Sequence, residues 1–331
     1  MEVPASGARG GVGVRWVVEE LVMGFRLRVR GQEPLRPHVL STRTGGKVTK
    51  VPAPSHRPPV PFLGRRITSA AMTAGRTYVA SDVHLGAHSR GRERAFRDWL
   101  EAAGGDAEEV VINGDLFDFW FEYRTVIPRG HTRVLGTLAD LVDAGIRVHL
   151  TGGNHDWWGA SFLTDEIGVR FHREPVRLEL SGRTTLLAHG DGLGAGDRGY
   201  RFLQRVIRHP VACTLFRWTH PDLGAWLAQR VSRTEKRRED PTPKQKARIQ
   251  ALEDWAVEQL SADPDLSLVL LGHTHVPVLR QVEAGRFYVN SGDWLRHRSY
   301  VILDRDAPPR LERWSRGSAE QGSTEHESVE P

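Results

Sequence analysis

Two histidines near the end of the chain, His273 and His275 in the stretch GHTH, follow the largely apolar run 266–271. Imidazole groups bind divalent metal ions when other nitrogen or oxygen donors lie beside them. Four more β-rich runs end in such donors, which are Asp82 with His84, Asp115, Asn154 and His189. Seven donors are too many for one ion and suit two ions that share a bridging carboxylate. These residue types therefore predict a dinuclear metal site.

The donor set also indicates which metals would bind. Nitrogen and oxygen donors without thiolate favour Mn²⁺, Fe²⁺, Zn²⁺ or Co²⁺ over a soft metal. Cys213 is the only cysteine of the chain, which excludes an intrachain disulfide and a cysteine-based zinc site. A single cysteine is typical of a protein from a reducing compartment, so a cytoplasmic location is expected.

The elements that carry these donors alternate along the chain. Six short β-rich runs end in glycine or polar residues: RTYVASD, EEVVINGD, IRVHLTGGNHD, TTLLAHGD, LSLVLLGHTH and RFYVNSGDW. Helical patterns lie between several of them, at 92–103, at 131–144 and near 244–260. Strands that alternate with helices predict an α/β fold. Functional groups of such sheets collect beyond the carboxyl ends of the strands, so we expect the donors to meet there.

Composition divides the chain into three parts. Residues 1–75 hold 8 of the 19 prolines and show no sustained strand or helix period, which predicts a disordered or non-native leader. Residues 76–315 are expected to form the domain, and the polar segment 316–331 a disordered tail. No stretch approaches the ~18 uninterrupted apolar residues of a membrane span, so a soluble protein is expected.

The basic pI of about 9.6 arises from two segments. Residues 1–75 carry 12 basic and 4 acidic side chains, and residues 197–250 carry 13 basic and 5 acidic side chains. A basic segment can meet nucleic acid, an anionic membrane surface or a phosphorylated substrate. Charge alone does not choose among these partners.

Five blocks of the sequence together resemble a known family. SDVHLG at 81–86, GDLFD at 114–118, GNHD at 153–156, HGD at 189–191 and GHTH at 272–275 resemble, in order, the motifs of the calcineurin-like metallophosphoesterases. The resemblance implies a four-layer αββα sandwich with a dinuclear metal site at one edge.

The resemblance also implies a role for each donor. Asp82, His84 and His275 would hold the first metal, and Asn154, His189 and His273 the second, with Asp115 bridging the two. Beside the metals, His155 would be the catalytic histidine, oriented by Asp156. Asp118 and Asp191 are expected to stabilise turns or to orient ligands.

This arrangement suits phosphoryl transfer to water. The reaction needs a nucleophile at neutral pH and relief of charge on the phosphoryl oxygens, and two adjacent cations supply both. Imidazole and carboxylate are free to bind metal at pH 7. His155 would act as a hydrogen-bond donor or general acid toward the leaving oxygen.

The segment after the fourth block indicates which class of substrate the protein would bind. Residues 197–250 resemble the helical insertion that caps the site of the UDP-2,3-diacylglucosamine diphosphatases, which cleave an acylated nucleotide sugar in lipid A synthesis to UMP and a lipid 1-phosphate, usually with Mn²⁺. By position, Asp197 and Tyr200 would lie near the sugar or phosphate. Asn290 is either a turn residue or a substrate contact. The best-known branch has arginine where this chain has His155, so the resemblance implies a different arrangement of the phosphate contacts in this chain.

The insertion predicts an acylated nucleotide-sugar substrate and peripheral contact with the anionic cytoplasmic face of the inner membrane, with no nucleic-acid partner. Two alternatives remain open. One is a phosphoesterase for another nucleotide, a phosphodiester or a nucleic acid, with the basic insertion as a phosphate track. The other is a non-catalytic interaction protein on the same fold. The sequence does not indicate an oligomeric state.

Overall fold

The computed structural model describes residues 75–86, 90–196, 198–231 and 242–315. The predicted leader, apart from Gly75, and the predicted tail lie outside the described residues, as does Asp197. The strands are β1 (Arg76–Ala80), β2 (Ala107–Asn113), β3 (Arg147–Thr151), β4 (Arg170–His172), β5 (Val176–Leu180), β6 (Arg183–Leu187), β7 (Leu268–Leu271), β8 (Val278–Glu283), β9 (Arg286–Asn290), β10 (Ser299–Leu303) and β11 (Arg310–Arg313).

The helices follow the sequence periods closely. They are α1 (Arg90–Ala103), α2 (Thr132–Asp143), α3 (Arg198–Ile207), α4 (Pro210–Arg217), α5 (Pro221–Val231) and α6 (Pro243–Ala262), and a π-helical turn spans Phe162–Glu166. Thr242 begins α6 with a capping box, in which its hydroxyl accepts from the Gln245 amide while the Gln245 side chain accepts from the Thr242 amide. Pro243 fits the first helical position because its missing N–H has no partner there.

The strands form two mixed sheets. The first sheet has the order β11-β10-β1-β2-β3-β4, with parallel pairing from β1 to β4 and antiparallel pairing at β10 and β11. The second has the order β5-β6-β7-β9-β8, with β6, β7 and β9 parallel and both edge strands antiparallel. Parallel interior strands are covered on both faces, which explains why β7 reads as the continuous apolar run LVLL.

Three clusters of apolar side chains hold the layers of helices and sheets together. Between the sheets, Val79 and Val111 of the first sheet pack with Leu268, Leu270 and Val289 of the second. The outer face of the first sheet is covered by α1 and α2, and the outer face of the second by α6 through Leu252, Ala256 and Leu260. This order of layers confirms the predicted αββα sandwich.

A helical insertion separates β6 from β7. Its helices α3, α4 and α5 bury little of their own apolar surface, whereas α6 packs on the sheet. The insertion is predicted to end at about residue 250, and the covering helix begins before that position, at Pro243. Among the described residues, no helix combines the length and apolar character that crossing a bilayer requires.

Candidate metal centre

The predicted ligands lie just beyond the carboxyl ends of five strands from both sheets. Asp82 follows β1, Asp115 follows β2 and Asn154 follows β3, while His189 follows β6 and His273 follows β7. Because these ends open on the same edge of the sandwich, residues almost 200 positions apart come into contact. The His273 amide donates to Asp82 Oδ2 over 2.9 Å.

Five of the predicted ligands have left-handed backbone conformations, which are uncommon outside glycine. Their φ values are 52° for Asp82, 50° for His84, 52° for Asp115, 66° for His273 and 62° for His275. Such conformations cost roughly 1–3 kcal/mol each and persist where the surrounding structure imposes them. Here, backbone hydrogen bonds impose them, as in Asp82 N to Gly114 O at 3.1 Å. Concentrated strain of this kind is typical of a functional site.

Two glycines allow the loops to approach each other. A Cβ on Gly114 would lie 2.3 Å from His189 Nδ1, and φ at Gly114 is +80°. A Cβ on Gly153 would lie 2.2 Å from Asp115 Oδ1. Neither position tolerates a side chain without displacing a predicted ligand.

The first group of donors is formed by three buried side chains. His275 Nε2 lies 3.0 Å from Asp82 Oδ1 and 3.4 Å from His84 Nε2. The opposite nitrogen of the His275 ring, Nδ1, lies 3.1 Å from Asp293 Oδ2. A carboxylate on Nδ1 holds the proton there and turns Nε2 toward the group as a ligand atom.

The second group is arranged in the same way. His189 Nδ1 donates to the Asn113 carbonyl over 2.9 Å, which leaves Nε2 as the ligand atom, 3.4 Å from Asp115 Oδ2. His273 Nδ1 lies 3.0 Å from Asn154 Oδ1. Asp115 Oδ2 is also 3.7 Å from His84 Nε2. Asp115 therefore lies between the two groups, where a bridging ligand belongs.

The donors fit divalent metals. Asp82 Oδ1 and His189 Nε2 are buried, and each faces another predicted ligand atom, His275 Nε2 at 3.0 Å and Asp115 Oδ2 at 3.4 Å. Buried polar atoms need partners, and a metal ion between these donors would satisfy both. The atoms that converge are carboxylate oxygens, imidazole nitrogens and an amide oxygen, the set that first-row divalent ions accept.

The electrostatics favour positive charge between the groups. Burial opposes ionisation of Asp82, but the facing His275 imidazole outweighs burial and holds the pKa of that carboxyl below its ordinary value. Burial likewise opposes ionisation of Asp115, and His189 then lowers the pKa of Asp115 well below its usual range. Burial lowers the pKa of His84, and with the His189 charge it lowers the pKa of His273 to about 3. The carboxylates are thus charged at pH 7, and these two imidazoles are neutral, as metal binding requires.

His155 lies beside the centre. Its Nδ1 donates to the Asp118 carbonyl over 2.7 Å, its amide donates to Asp115 Oδ1 over 2.9 Å, and its Nε2 is 3.9 Å from Asp115 Oδ2. Asp118 Oδ1 is 3.4 Å from His84 Nδ1. His84, Asp118 and His155 thus form a further group of possible ligands, which competes with the assignment of His155 to catalysis.

Asp156 does not orient His155 as predicted. Its fully buried carboxylate accepts hydrogen bonds from four backbone amides, which belong to Asp115, Leu116, Phe117 and Gly153, at 2.7–3.3 Å. Asp156 therefore fixes the backbone that carries Asp115, and the orientation of the His155 ring comes from the Asp118 carbonyl.

The three predicted substrate contacts have different outcomes. Asn290 is fully buried, and its amide group donates to the Gly272 carbonyl and accepts from the Gly292 amide. Asn290 therefore supports the GHTH loop, as a turn residue would, and its role as a substrate contact stays a prediction. Tyr200 donates to Asp191 Oδ2 over 3.2 Å, two residues after the predicted ligand His189. Asp197 lies outside the described residues.

Three further residues at the centre are absent from the sequence predictions. Asp293 orients His275, Arg248 of α6 lies against His273, and Arg208, which directly follows α3, binds Asp191. Only Asp293 has a sequence signal, because it belongs to NSGDW, the last of the β-rich runs. Arg248 lies on a helix and Arg208 directly follows one, and nothing in their local sequence indicates that they face this centre.

The chain is similar to several known proteins. The chain matches the calcineurin-like phosphoesterase family over residues 75–277. It is similar to a UDP-2,3-diacylglucosamine hydrolase of Porphyromonas gingivalis, with 33% identity over 246 residues that cover 69% of this chain and 94% of that protein. A UDP-2,3-diacylglucosamine hydrolase of Ectopseudomonas mendocina is 30% identical, with 65% of this chain and 89% of that protein covered. A solved dimetal phosphatase from Danio rerio covers 73% of this chain and 99% of its own, with TM-score 0.41 and 13% identity.

The family match spans more than half of the chain, and the chain belongs to the calcineurin-like phosphoesterase family. It is a metal-dependent hydrolase. The family uses a dinuclear divalent metal site, and residues able to hold one lie together at the edge of the sandwich.

Proposed function

We propose that this chain hydrolyses the pyrophosphate of UDP-2,3-diacylglucosamine or a closely related acylated nucleotide sugar, giving UMP and a lipid 1-phosphate. The observation that carries the proposal is the convergence of seven metal donors beside an insertion with exposed apolar side chains. The relatives named UDP-2,3-diacylglucosamine hydrolase support the substrate class, since the chain covers about nine tenths of their length.

Two divalent ions are assigned to the two donor groups. Asp82, His84 and His275 would hold one ion, Asn154, His189 and His273 the other, and Asp115 both. When bound, such a pair makes a nucleophile from water near neutral pH and withdraws charge from the phosphoryl oxygens. We assign Mn²⁺ as the resident metal, and Fe²⁺, Zn²⁺ and Co²⁺ suit the same donors.

His155 acts as a proton donor in the reaction. Because Nδ1 donates to the Asp118 carbonyl, Nε2 carries a proton only in the imidazolium form of the ring. In that form Nε2 donates to a phosphoryl oxygen or to the leaving oxygen. The role of Asp156 is to hold Asp115 in place through the backbone of residues 115–117.

The insertion offers a surface for acyl chains. Phe202, Leu203 and Val206 of α3 and Leu215 of α4 are 47–66% exposed, and Trp218 is 85% exposed. Concentrated exposed apolar groups indicate a ligand or membrane contact. Arg201, Arg205 and Arg217 lie on the same helices and would attract the anionic cytoplasmic face of a membrane. A peripheral location at that face follows from the proposal.

A comparison of two substrates tests the proposal. Leu203→Ser should reduce kcat/KM on the diacylated nucleotide sugar by about tenfold, because a leucine side chain no longer packs on the acyl chain. Hydrolysis of a small chromogenic phosphodiester by the same variant should stay close to that of the parent. Leu279→Ser, which removes an exposed leucine from β8, is the matched control and should change neither rate.

Two results would contradict the proposal. The first is no turnover of the acylated substrate by the parent protein loaded with Mn²⁺. The second is equal loss on both substrates in Leu203→Ser, which would make the insertion a support for the site. A preference for DNA over acylated substrate would favour a nuclease instead.

A further inference from the structure

An arginine of α6 lies against the metal centre and has no part in the steps above. Arg248 is half-buried, and its Nη2 is 3.3 Å from Nε2 of His273. It lies one helical turn before Leu252, which is fully buried against the second sheet. The packing of α6 therefore holds this guanidinium at the edge where the donors meet.

The tautomer of His273 determines what this contact means. Its Nδ1 lies 3.0 Å from Asn154 Oδ1, and both residues are predicted ligands of the second ion. When Nδ1 binds a metal, the single ring proton of the neutral imidazole is on Nε2. A guanidinium carries only donors, so Nε2–H and Arg248 then face each other as two donors. An anionic oxygen that accepts from both satisfies this arrangement.

We propose that Arg248 and Nε2–H of His273 bind one phosphoryl oxygen of the substrate beside the second metal. The inference rests on the proposed function for the identity of the substrate as a diphosphate. Guanidinium is suited to the task because it is always charged and its planar donors match phosphate oxygens. Arg248 is then a substrate-binding residue that a helix of the outer layer supplies to the active site.

Groups other than Arg248 already hold the backbone of His273 and of the GHTH loop in place. The backbone amide of His273 is held by Asp82 Oδ2, and the GHTH loop is held by Asn290 through the Gly272 carbonyl. The backbone of His273 thus has fixed partners on the sheet side, independent of α6. Loss of Arg248 should consequently weaken anion binding without release of metal.

Binding of small anions to the Mn²⁺-loaded protein tests this separation. Calorimetric titration with UMP and with N-acetylglucosamine 1-phosphate should show about 10- to 100-fold weaker binding of at least one of them in Arg248→Gln. Arg248→Lys should restore part of the affinity. Lys246→Gln removes a positive charge from the exposed side of the same helix and should bind both anions like the parent. Metal content should stay at the parent level in all three variants.

The two anions also identify which half of the substrate Arg248 holds. Weaker binding of UMP alone assigns it to the uridylyl phosphate, and weaker binding of the sugar phosphate alone assigns it to the lipid side. Unchanged affinity for both anions in Arg248→Gln would overturn the proposal. Loss of metal in step with loss of anion binding would also overturn it, because Arg248 would then support His273.

Failure of the proposed function is recognised separately. A parent protein that hydrolyses a small phosphodiester but not the acylated nucleotide sugar would refute that substrate. The anion titrations would still decide the role of Arg248, because they require neither acyl chain nor turnover.

Discussion

Asp115 is the side chain on which both halves of the centre depend. Its Oδ2 lies within 4 Å of ring nitrogens of His84, His155 and His189, and its Oδ1 accepts the His155 amide. Gly153 leaves no room for a Cβ beside it, and Asp156 fixes the backbone around it. The surroundings of this carboxylate are therefore more constrained than those of an ordinary turn residue.

Substitution of Asp115 tests the bridge. Asp115→Asn keeps the shape but removes the charge shared by the two ions, so bound Mn²⁺ should fall from two per chain to one or none, with nearly all turnover lost. Elemental analysis of the dialysed protein measures this. Asp118→Asn should keep both ions. Equal metal loss in the two variants would favour the competing group of His84, Asp118 and His155.

Asp293 should matter for metal affinity although it is not a ligand. It lies 3.1 Å from Nδ1 of His275 and accepts from the amides of Arg296 and His297. Carboxylates that orient metal-binding histidines typically contribute about 10- to 100-fold to affinity, so Asp293→Asn should weaken Mn²⁺ binding by that factor. A metal titration compares it with Asp165→Asn on the exposed π-helical turn, which should bind like the parent. Parent-like affinity in Asp293→Asn would refute the orienting role.

At the scale of elements, α3 of the insertion is joined to the catalytic loops through Asp191. The Asp191 carboxylate, two residues after His189, accepts from Tyr200, Gln204 and Arg208 at 3.2, 2.6 and 2.7 Å. Arg208 also lies 4.9 Å from the centre of the Trp157 ring. These contacts make the position of the insertion dependent on the loop that carries a metal ligand.

A double-mutant cycle measures how strongly Arg208 and Asp191 couple. Both side chains are largely buried, so removal of either one leaves a charge without its opposite. Arg208→Gln and Asp191→Asn should each lower the free energy of unfolding. The double variant should lose less free energy of unfolding than the two single variants together, with a coupling energy of about 2 kcal/mol. Urea unfolding of the four proteins gives this value. Strict additivity would show that the two residues act independently.

The elements were predictable where their signals are local. The helical periods at 131–144 and near 244–260 predict α2 and α6 within about two residues at each end, and each ligand block follows its own strand. The role of Asp156 was not predictable, because it depends on amides about 40 residues away. Asn290 was ambiguous because a turn residue and a substrate contact differ only in burial. The position of Arg248 at the metal centre was not predictable, because the sequence of a helix does not reveal which part of the fold each side of the helix faces.

At the scale of the whole molecule, the site exists because two sheets pack face to face. His149 pairs with Val111 of the inter-sheet core, so its imidazole lies on the buried face of β3. Its Nδ1 is 3.0 Å from Nε2 of His172 on β4, and the two rings are stacked. One of these nitrogens donates to the other, which requires that at least one of the rings is neutral.

This pair should make the sandwich sensitive to acid. Burial, and then the neighbouring His172, lower the pKa of His149 to about 4. Because the unfolded value is about 6.5, the unfolded chain takes up this proton first as the pH falls. The contribution of neutral His149 to the free energy of unfolding is thus complete above about pH 6.5. This contribution, about 3 kcal/mol in total, is lost as the pH falls toward 4.

Replacement of the buried imidazole should remove this part of the pH dependence. The free energy of unfolding, measured by urea titration at several pH values in chelator, should fall less steeply between pH 6.5 and 4 in His149→Gln than in the parent. The remaining titrating groups are common to both proteins, so the difference in slope reports His149 together with its partner His172. His220→Gln, at an exposed histidine that begins α5, should keep the parent slope. Identical slopes in His149→Gln and the parent would mean that His149 takes up its proton equally in the folded and unfolded chain, and that the inter-sheet layer tolerates the charge.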